Sequence, residues 1–181
     1  VEESFELEAF PVNHRGGQCF GFMFQEPARR PFLDEKASEL GVPHGPERRE
    51  LVRGCSIKLP GGQIINPDDV LGPTIPGTKL VHVGDAGTTD DLLEYCTNAD
   101  ALVIEATYLD SDKVLAEKFG HLTARQAAEL ARDANVSSLY LTHISRRYRI
   151  RDVLSEAAKI FPTVVVARDL DQFQIRRPNS D

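Results

Sequence analysis

From Lys79 onward the chain alternates short apolar runs with longer amphipathic stretches, and this alternation constrains the fold more than any other feature. The apolar runs are 79–84 (KLVHVG), 101–105 (ALVIE), 138–142 (SLYLT) and 163–167 (TVVVA). Helices are predicted around them, at 89–97, 111–119, 124–134 and 151–161. Nearly continuous apolar runs are typical of strands in a parallel sheet that is covered by helices. The sequence therefore predicts a fold of the α/β class.

Further strands are predicted near the two ends of the chain, at 5–12, 19–25 and 172–175. In the second of these, Phe20, Phe22 and Phe24 recur at every second position and so fall on one face. Threonines are predicted to cap two helices, with Thr88 or Thr89 before 89–97 and Thr123 before 124–134.

Between about 26 and 76 the composition of the sequence changes. Eight of the eleven prolines lie there, together with several glycines, and such residues prevent long helices and strands. We expect an inserted arm with short helices near 34–40 and 47–52, followed by a small hairpin that turns at Gly61-Gly62. A long insertion in a compact domain is usually functional or disordered.

Three predicted strands end on side chains that can bind a metal: His14, Asp85 and His143. Loops at strand ends converge in space, and a carboxylate can bridge two ions in a hydrolytic centre. Taken singly, each residue has an ordinary alternative, a surface histidine or a turn aspartate. The other candidates fit less well, because His44 lies in the arm and His82 lies within a strand, where it is expected to pack.

Glu105 and His121 form a second candidate pair. Glu105 ends a predicted strand, and His121 stands in a turn just before a helix. A carboxylate that holds an imidazole sets its tautomer and favours its protonated form, which can then donate a proton to a leaving alkoxide. The alternative is a buried glutamate and a turn histidine, each satisfied by the backbone.

Charge gives two opposing indications about nucleic acid. The net charge is −7, which disfavours a polyanionic partner on average. Arginines nevertheless cluster at 29–30, at 48, 49 and 53, and at 146, 147, 149 and 151, directly after His143. Guanidinium groups match phosphate oxygens, although such clusters can also be solvated surface charges.

Cysteine usage and hydropathy indicate a soluble protein of a reducing compartment. Cys19, Cys55 and Cys96 form no C-x-x-C pair, and we expect buried thiols. No apolar run approaches the ~20 residues that span a bilayer. Residues 1–10 carry four glutamates and no basic signal-peptide region. The chain starts at Val1, not at a methionine, and close to the predicted strand at 5–12, so we expect an excised or processed piece.

Six short motifs follow one another along the chain: 9–14 (AFPVNH) with Gly21-Phe22, 40–46 (LGVPHGP), Gly84-Asp85, Glu105-Ala106-Thr107, His121-Leu122-Thr123, and 142–145 (THIS) with Arg147-Tyr148. In this order they resemble the motifs of the ribonuclease Z family, whose members remove 3′ trailers from precursor tRNA. Ile104 and Leu122 depart from that pattern, standing where the family has histidine and serine, and Ala86 replaces a threonine.

The resemblance implies the C-terminal half of a metallo-β-lactamase αβ/βα sandwich with a protruding tRNA-binding arm. It implies two Zn²⁺ ions per complete site, with Mn²⁺ as the alternative metal. The roles it implies are metal ligation by His14, Asp85 and His143, proton donation by His121 with Glu105, phosphate binding by Ser145, Arg147 and Tyr148, and tRNA docking by Gly45, Pro46, Arg48 and Arg49.

The family's His-x-His-x-Asp-His cluster is absent from this sequence. We therefore expect an enzyme that is inactive without the N-terminal half, because a metal site needs ligand number as well as type. The expected partners are precursor tRNA, a second copy in a homodimer and that N-terminal half, in the cytoplasm or an organelle. The alternatives are a non-catalytic tRNA-binding or assembly half-protein, and another metallo-β-lactamase-type hydrolase acting on an ester or thioester.

Overall fold

The computed structural model describes residues 5–175. These residues form two compact units, one from the segments up to Glu26 and from Thr78 onward, the other from Pro27–Gly77. The strands are β1 (Glu6–His14), β2 (Gly17–Gln25), β3 (Ile57–Lys58), β4 (Ile64–Ile65), β5 (Lys79–His82), β6 (Ala101–Glu105), β7 (Leu139–Thr142) and β8 (Val164–Val166). The helices are α1 (Asp34–Glu39), α2 (Pro46–Val52), α3 (Pro67–Val70), α4 (Leu93–Cys96), α5 (Lys113–Phe119), α6 (Ala124–Asp133) and α7 (Ile150–Ala158).

The first unit is built on a six-stranded mixed sheet in the order β1-β2-β5-β6-β7-β8. The β1–β2 hairpin is antiparallel and pairs antiparallel with β5, whereas β5 to β8 run parallel. The hairpin turns at Arg15 and Gly16, whose φ angles of 45° and 71° suit the twist of a two-residue turn. The α/β class predicted from the alternating pattern is confirmed.

One face of this sheet is covered by helices. Directly paired residues on that face, such as Val81, Leu102 and Leu139, are fully buried. Helix α6 packs there through small side chains, four alanines among them, which let the helix approach the strands closely. Its predicted cap is confirmed, because the Thr123 side chain accepts a hydrogen bond from Gln126 N in a capping box.

The opposite face carries apolar residues that no helix within residues 5–175 covers, although Phe173 packs against Tyr140 there. A row of directly paired residues crosses five strands of the sheet, namely Phe22, His82, Val103, Tyr140 and Val165. Phe22 and Val165 are each 38% exposed. His82 was expected to pack within its strand, but it is exposed on this face and ends β5.

Three other expectations are corrected. The helix predicted at 89–97 is only the single turn α4, preceded by a turn in which Asp90 N bonds the Thr88 hydroxyl. Residues 172–175 form no strand. The cysteines are not all buried, because Cys55 is exposed and Cys19 is half-buried while Cys96 is buried.

The second unit, Pro27–Gly77, holds the two predicted short helices and the predicted hairpin. Its hairpin pairs β3 with β4 around Gly61-Gly62. The unit has a small core of its own, made of Ala37, Val42, Leu51, Ile65 and Val70.

Among residues 5–175, no helix has the length and apolar character that crossing a membrane requires.

Candidate active site

The three predicted metal ligands lie together at the C-terminal ends of their strands. His14 is the last residue of β1, Asp85 follows β5, and His143 follows β7. The Asp85 carboxylate lies between the two imidazoles, with Oδ2 4.0 Å from His14 Nε2 and Oδ1 3.7 Å from His143 Nε2. A carboxylate placed between two imidazoles is the arrangement that a bridging ligand requires.

His14 is oriented by the backbone that follows α5. Its Nδ1 lies 2.6 Å from the Gly120 carbonyl, so Nδ1 carries the proton and Nε2 is left to face Asp85. Gly120 ends the helix with φ 65°, and a Cβ there would come within 2.8 Å of Arg15 Cγ. Arg15 Nε donates to the Phe119 carbonyl, so the β1–β2 turn is fastened to the C-terminal end of α5.

The turn that carries Asp85 is held from two sides. Gly87 N donates to the Asn13 carbonyl at 2.6 Å, which ties the turn to β1. Ala86 N donates to Glu105 Oε1 at 2.7 Å, which ties it to the end of β6. The position of Asp85 is therefore set by its neighbours and does not depend on its own side chain.

The structure brings Glu105 and His121 into direct contact. His121 Nδ1 lies 2.8 Å from Glu105 Oε1, and the carboxylate is only 1% exposed. Thr107 and Leu122 also donate to this carboxylate, so every partner is a donor, as an ionised carboxylate requires. The bond fixes the His121 tautomer and leaves Nε2 pointing away from Glu105.

His143 has a left-handed backbone, with φ 54°. Such a conformation is uncommon for a residue other than glycine. The Thr107 hydroxyl lies 3.0 Å from the His143 carbonyl and also contacts Glu105, so one buried threonine connects the Glu105–His121 pair to a predicted metal ligand. Sequence reasoning quoted Thr107 within a motif but gave it no role, and it missed Arg15 and Gly120; of these two, only Gly120, a glycine after a helix, carried a visible signal.

The donor set fits a divalent transition metal. His14, Asp85 and His121 offer atoms that all lie within 4.8 Å of one another. Imidazole and carboxylate donors suit Zn²⁺ and related ions. The rings of His14 and His143 flank that of His121, with centroids 5.0 and 5.3 Å away. His121, expected to be a proton donor, thus lies as close to Asp85 as a ligand would.

The segment after His143 forms a turn that carries the arginines. Tyr148 N donates to the Ser145 carbonyl, and Arg147 N lies 3.4 Å from Ser145 Oγ. Arg147 is exposed. The Tyr148 hydroxyl donates to the Asp112 carboxylate, and burial together with that bond raises the pKa of Tyr148 to about 12. Tyr148 was expected to contact phosphate, but its hydroxyl proton is already committed to Asp112.

Within the arm, Gly45 adopts φ 150°, a conformation that favours glycine, and Pro46 starts α2. The two adjacent arginines of this helix differ. Arg49 is exposed, whereas the Arg48 side chain is 12% exposed and is bonded within the arm. The predicted role of Arg48 in tRNA docking therefore concerns a side chain that is bonded to groups of the arm itself.

A family model, the Beta-lactamase superfamily domain, matches residues 47–144, more than half of the chain. The chain belongs to the beta-lactamase superfamily. Two solved structures support the fold. One is the metallo-beta-lactamase fold protein YhfI from Bacillus subtilis, with a TM-score of 0.57 at 16% identity; the match covers 91% of this chain and 47% of the YhfI chain. The other is the short form of human tRNase Z, with a TM-score of 0.56 at 22% identity; the match covers 98% of this chain and 44% of the human chain.

Curated relatives carry the name ribonuclease Z, which confirms the resemblance drawn from the motifs. The protein of Bradyrhizobium diazoefficiens is 48% identical over 94% of this chain and 57% of the relative. That of Archaeoglobus fulgidus is 39% identical over 96% of this chain and 57% of the relative. The chain thus spans a little more than half the length of these relatives, and the αβ/βα sandwich half predicted from the motifs is consistent with that share.

Proposed function

We propose that the protein containing this chain is an endoribonuclease that removes the 3′ trailer of precursor tRNA, and that this chain supplies part of its active site. The observation that carries the proposal is the convergence of His14, Asp85 and His143 beside the buried Glu105–His121 pair. The name of the curated relatives supports the choice of substrate.

His14, Asp85 and His143 would hold the metal, with Asp85 as the bridge between two Zn²⁺ ions. Bound ions of this kind activate water and neutralise charge on a phosphate. The remaining ligands would come from the part of the relatives that this chain does not span, where the family carries His-x-His-x-Asp-His. Mn²⁺ is the alternative metal.

His121 would donate the proton that the leaving group needs. When water attacks phosphorus, the bond from phosphorus to the 3′ oxygen of the tRNA breaks, and that oxygen takes up a proton as it leaves. Nε2 of the imidazolium would supply it, because Nδ1 is occupied by Glu105. The negative charge of Glu105 stabilises the protonated ring before the transfer.

Arg147 and Ser145 would position the phosphate next to the break. Arg147 is exposed on the turn that follows His143, and its planar fork matches phosphate oxygens. In the arm, the Gly45-Pro46 turn and the exposed Arg49 would contact the body of the tRNA across a homodimer.

The test is single-turnover cleavage of a precursor tRNA by the full-length protein. His121→Ala is expected to slow cleavage at saturating RNA by about 10²–10⁴-fold, the usual contribution of a general acid. Glu129→Ala is the control, since Glu129 lies on α6 and its side chain forms an exposed pair with Arg125. An unchanged rate in His121→Ala would remove the proton-donor role, and no cleavage by the wild type would remove the proposed activity.

A non-catalytic tRNA-binding half-protein is the second candidate, because the ligands present belong to only part of a two-metal site. It predicts that this chain binds precursor tRNA while a mixture with metal gives no cleavage. Cleavage restored by adding the missing half as a separate chain would instead favour the enzyme.

A further inference from the structure

Arg48 and Arg49 are neighbours in the arm, yet their side chains have opposite surroundings. In α2, Arg48 lies one turn before Leu51 and on the same helix face, and Leu51 is fully buried. Arg49 lies about 100° further round the helix, above Val52, which is 55% exposed. The helix therefore turns one guanidinium into the arm and the other toward solvent.

The guanidinium of Arg48 is almost saturated with partners from the arm itself. Its Nε donates to the Pro43 carbonyl and its Nη2 to the Val42 carbonyl, each at 3.2 Å. Nη1 is paired with Asp34 Oδ1, and Nη2 also lies 3.5 Å from Ser38 Oγ. Four of the five N–H groups of an arginine are thus used.

The aromatic ring of Phe32 covers the plane of this guanidinium, with Cζ 5.4 Å from the ring centroid. Together these contacts join α1, the segment 42–45 and α2 around one side chain. Arg49, by contrast, makes no side-chain hydrogen bond or ion pair with any residue in the range 5–175.

We propose that Arg48 is a positioning residue that holds the Val42–Gly45 segment in shape, and that the arm meets the RNA backbone through Arg49. The two carbonyls bound by Arg48, those of Val42 and Pro43, are separated by one residue from Gly45 and Pro46, the turn that the arm is expected to present. A lysine could keep the positive charge of Arg48 but could not reproduce its planar fork. The RNA side of this inference rests on the proposed function, whereas the structural side does not.

The structural side is tested on the full chain without RNA, by hydrogen exchange of the amides in 40–46. Arg48→Ala and Arg48→Lys are both expected to accelerate exchange there, whereas Arg49→Ala leaves it unchanged. Asp34→Asn keeps Arg48 and weakens one of its contacts, so it is expected to accelerate amide exchange in 40–46 to a smaller extent. This variant keeps the test decisive even if the Arg48 variants fold poorly. Unchanged exchange in Arg48→Lys would overturn the positioning role.

The RNA side is tested by precursor-tRNA binding across a salt titration. Arg49→Ala is expected to lower the slope of log affinity against log salt by about 1, and Arg49→Lys to restore it. Arg48→Ala is expected to weaken binding with the slope unchanged, and Arg48→Lys to give no rescue. A lowered slope in Arg48→Ala that Arg48→Lys restores would overturn the inference. Absence of wild-type binding would refute the proposed function, and the hydrogen exchange would still decide the role of Arg48.

Discussion

His121 Nδ1 lies 2.8 Å from Glu105 Oε1, and this bond joins the turn before α6 to the end of β6. The same carboxylate accepts from Ala86 N, next to Asp85, and from the Thr107 hydroxyl, which contacts the His143 carbonyl. A single buried glutamate therefore fixes His121, the proposed proton donor, and the backbone beside two of the three proposed metal ligands.

Replacing Glu105 by glutamine tests this arrangement. The amide directs an N–H₂ group toward partners that are all donors, so at least one buried hydrogen bond is lost. We expect a loss of about 1–3 kcal/mol in the free energy of unfolding, measured by chemical denaturation. Glu129→Gln is the matched control, because Glu129 makes only an exposed pair with Arg125, worth about 0–1 kcal/mol. Equal effects of the two substitutions would contradict the central role of Glu105.

The metal site of this chain is expected to be weak and to depend on particular donors. We expect Co²⁺ to bind the isolated chain with a d–d absorption spectrum that His14→Ala, Asp85→Ala and His143→Ala each abolish, because a site of few ligands cannot lose one. His44→Ala is the control and leaves the spectrum unchanged.

His121→Ala separates the two roles that its geometry allows. The proposed function makes His121 a proton donor, so this variant should keep the Co²⁺ affinity while losing cleavage. A loss of Co²⁺ affinity as large as that of His14→Ala would make His121 a ligand, in keeping with its place within 4.8 Å of His14 and Asp85 donors.

Patterns of neighbouring residues in the sequence predicted the strands, a helix cap and the candidate ligands. The buried strands follow from continuous apolar runs, and the Thr123 cap follows from the sequence at the start of α6. The candidate ligands were found because each stands at the end of its own strand. Helix α4 starts only at Leu93, four residues later than predicted. No side chain caps it, and the Thr88 hydroxyl bonds Asp90 N in a separate turn before the helix.

Contacts between distant segments had no such signal. The bond of Tyr148 to Asp112 spans 36 positions, and nothing in either segment distinguishes a tyrosine that binds phosphate from one that fastens a loop. Likewise, Arg48 and Arg49 are the same residue type in adjacent positions. The rotation of α2 about its own axis, relative to the small core of the arm, decides which of them is buried. Arg48 lies on the helix face of buried Leu51, and Arg49 on that of exposed Val52.

The hydroxyl of Tyr148 gives a pH dependence with a definite sign. Burial and the bond to Asp112 raise its pKa to about 12 from the ordinary value of 10, so folding favours the neutral phenol. This contribution to stability is complete below pH 10 and is lost as the pH rises from 10 to 12. The difference in stability between wild type and Tyr148→Phe should therefore shrink over that window.

Absorbance at 295 nm provides a direct check on the same group. The titration of the wild type minus that of Tyr148→Phe should show one phenol ionising near pH 12. Ionisation near pH 10 in the difference curve would show that the hydroxyl is not held by Asp112 in solution.

The cysteines should differ sharply in reactivity. Burial raises the pKa of the Cys96 thiol to about 12, although nearby Lys79 opposes this shift, whereas Cys55 is exposed in the arm. Since the thiolate is the reactive form, iodoacetamide at pH 8 should label Cys55 rapidly and Cys96 only after unfolding. Peptide mass mapping measures both sites, with Cys55→Ser as the control. Fast labelling of Cys96 in the folded chain would contradict its buried place in the core.

The uncovered sheet face should make the isolated chain self-associate. Leu7 is 56% exposed and Phe20 52%, on the strands at one edge of this face, and Phe22 continues it toward the middle of the sheet. Faces of this kind are normally buried against a second sheet in a sandwich, and a contiguous exposed apolar patch promotes association. Phe20→Ser with Phe22→Ser should shift the chain toward monomer in sedimentation velocity. Val114→Ser is the matched control, because Val114 is 80% exposed on α5, away from the sheet face. A wild-type chain that sediments as a single monomeric species would show that this face does not drive association.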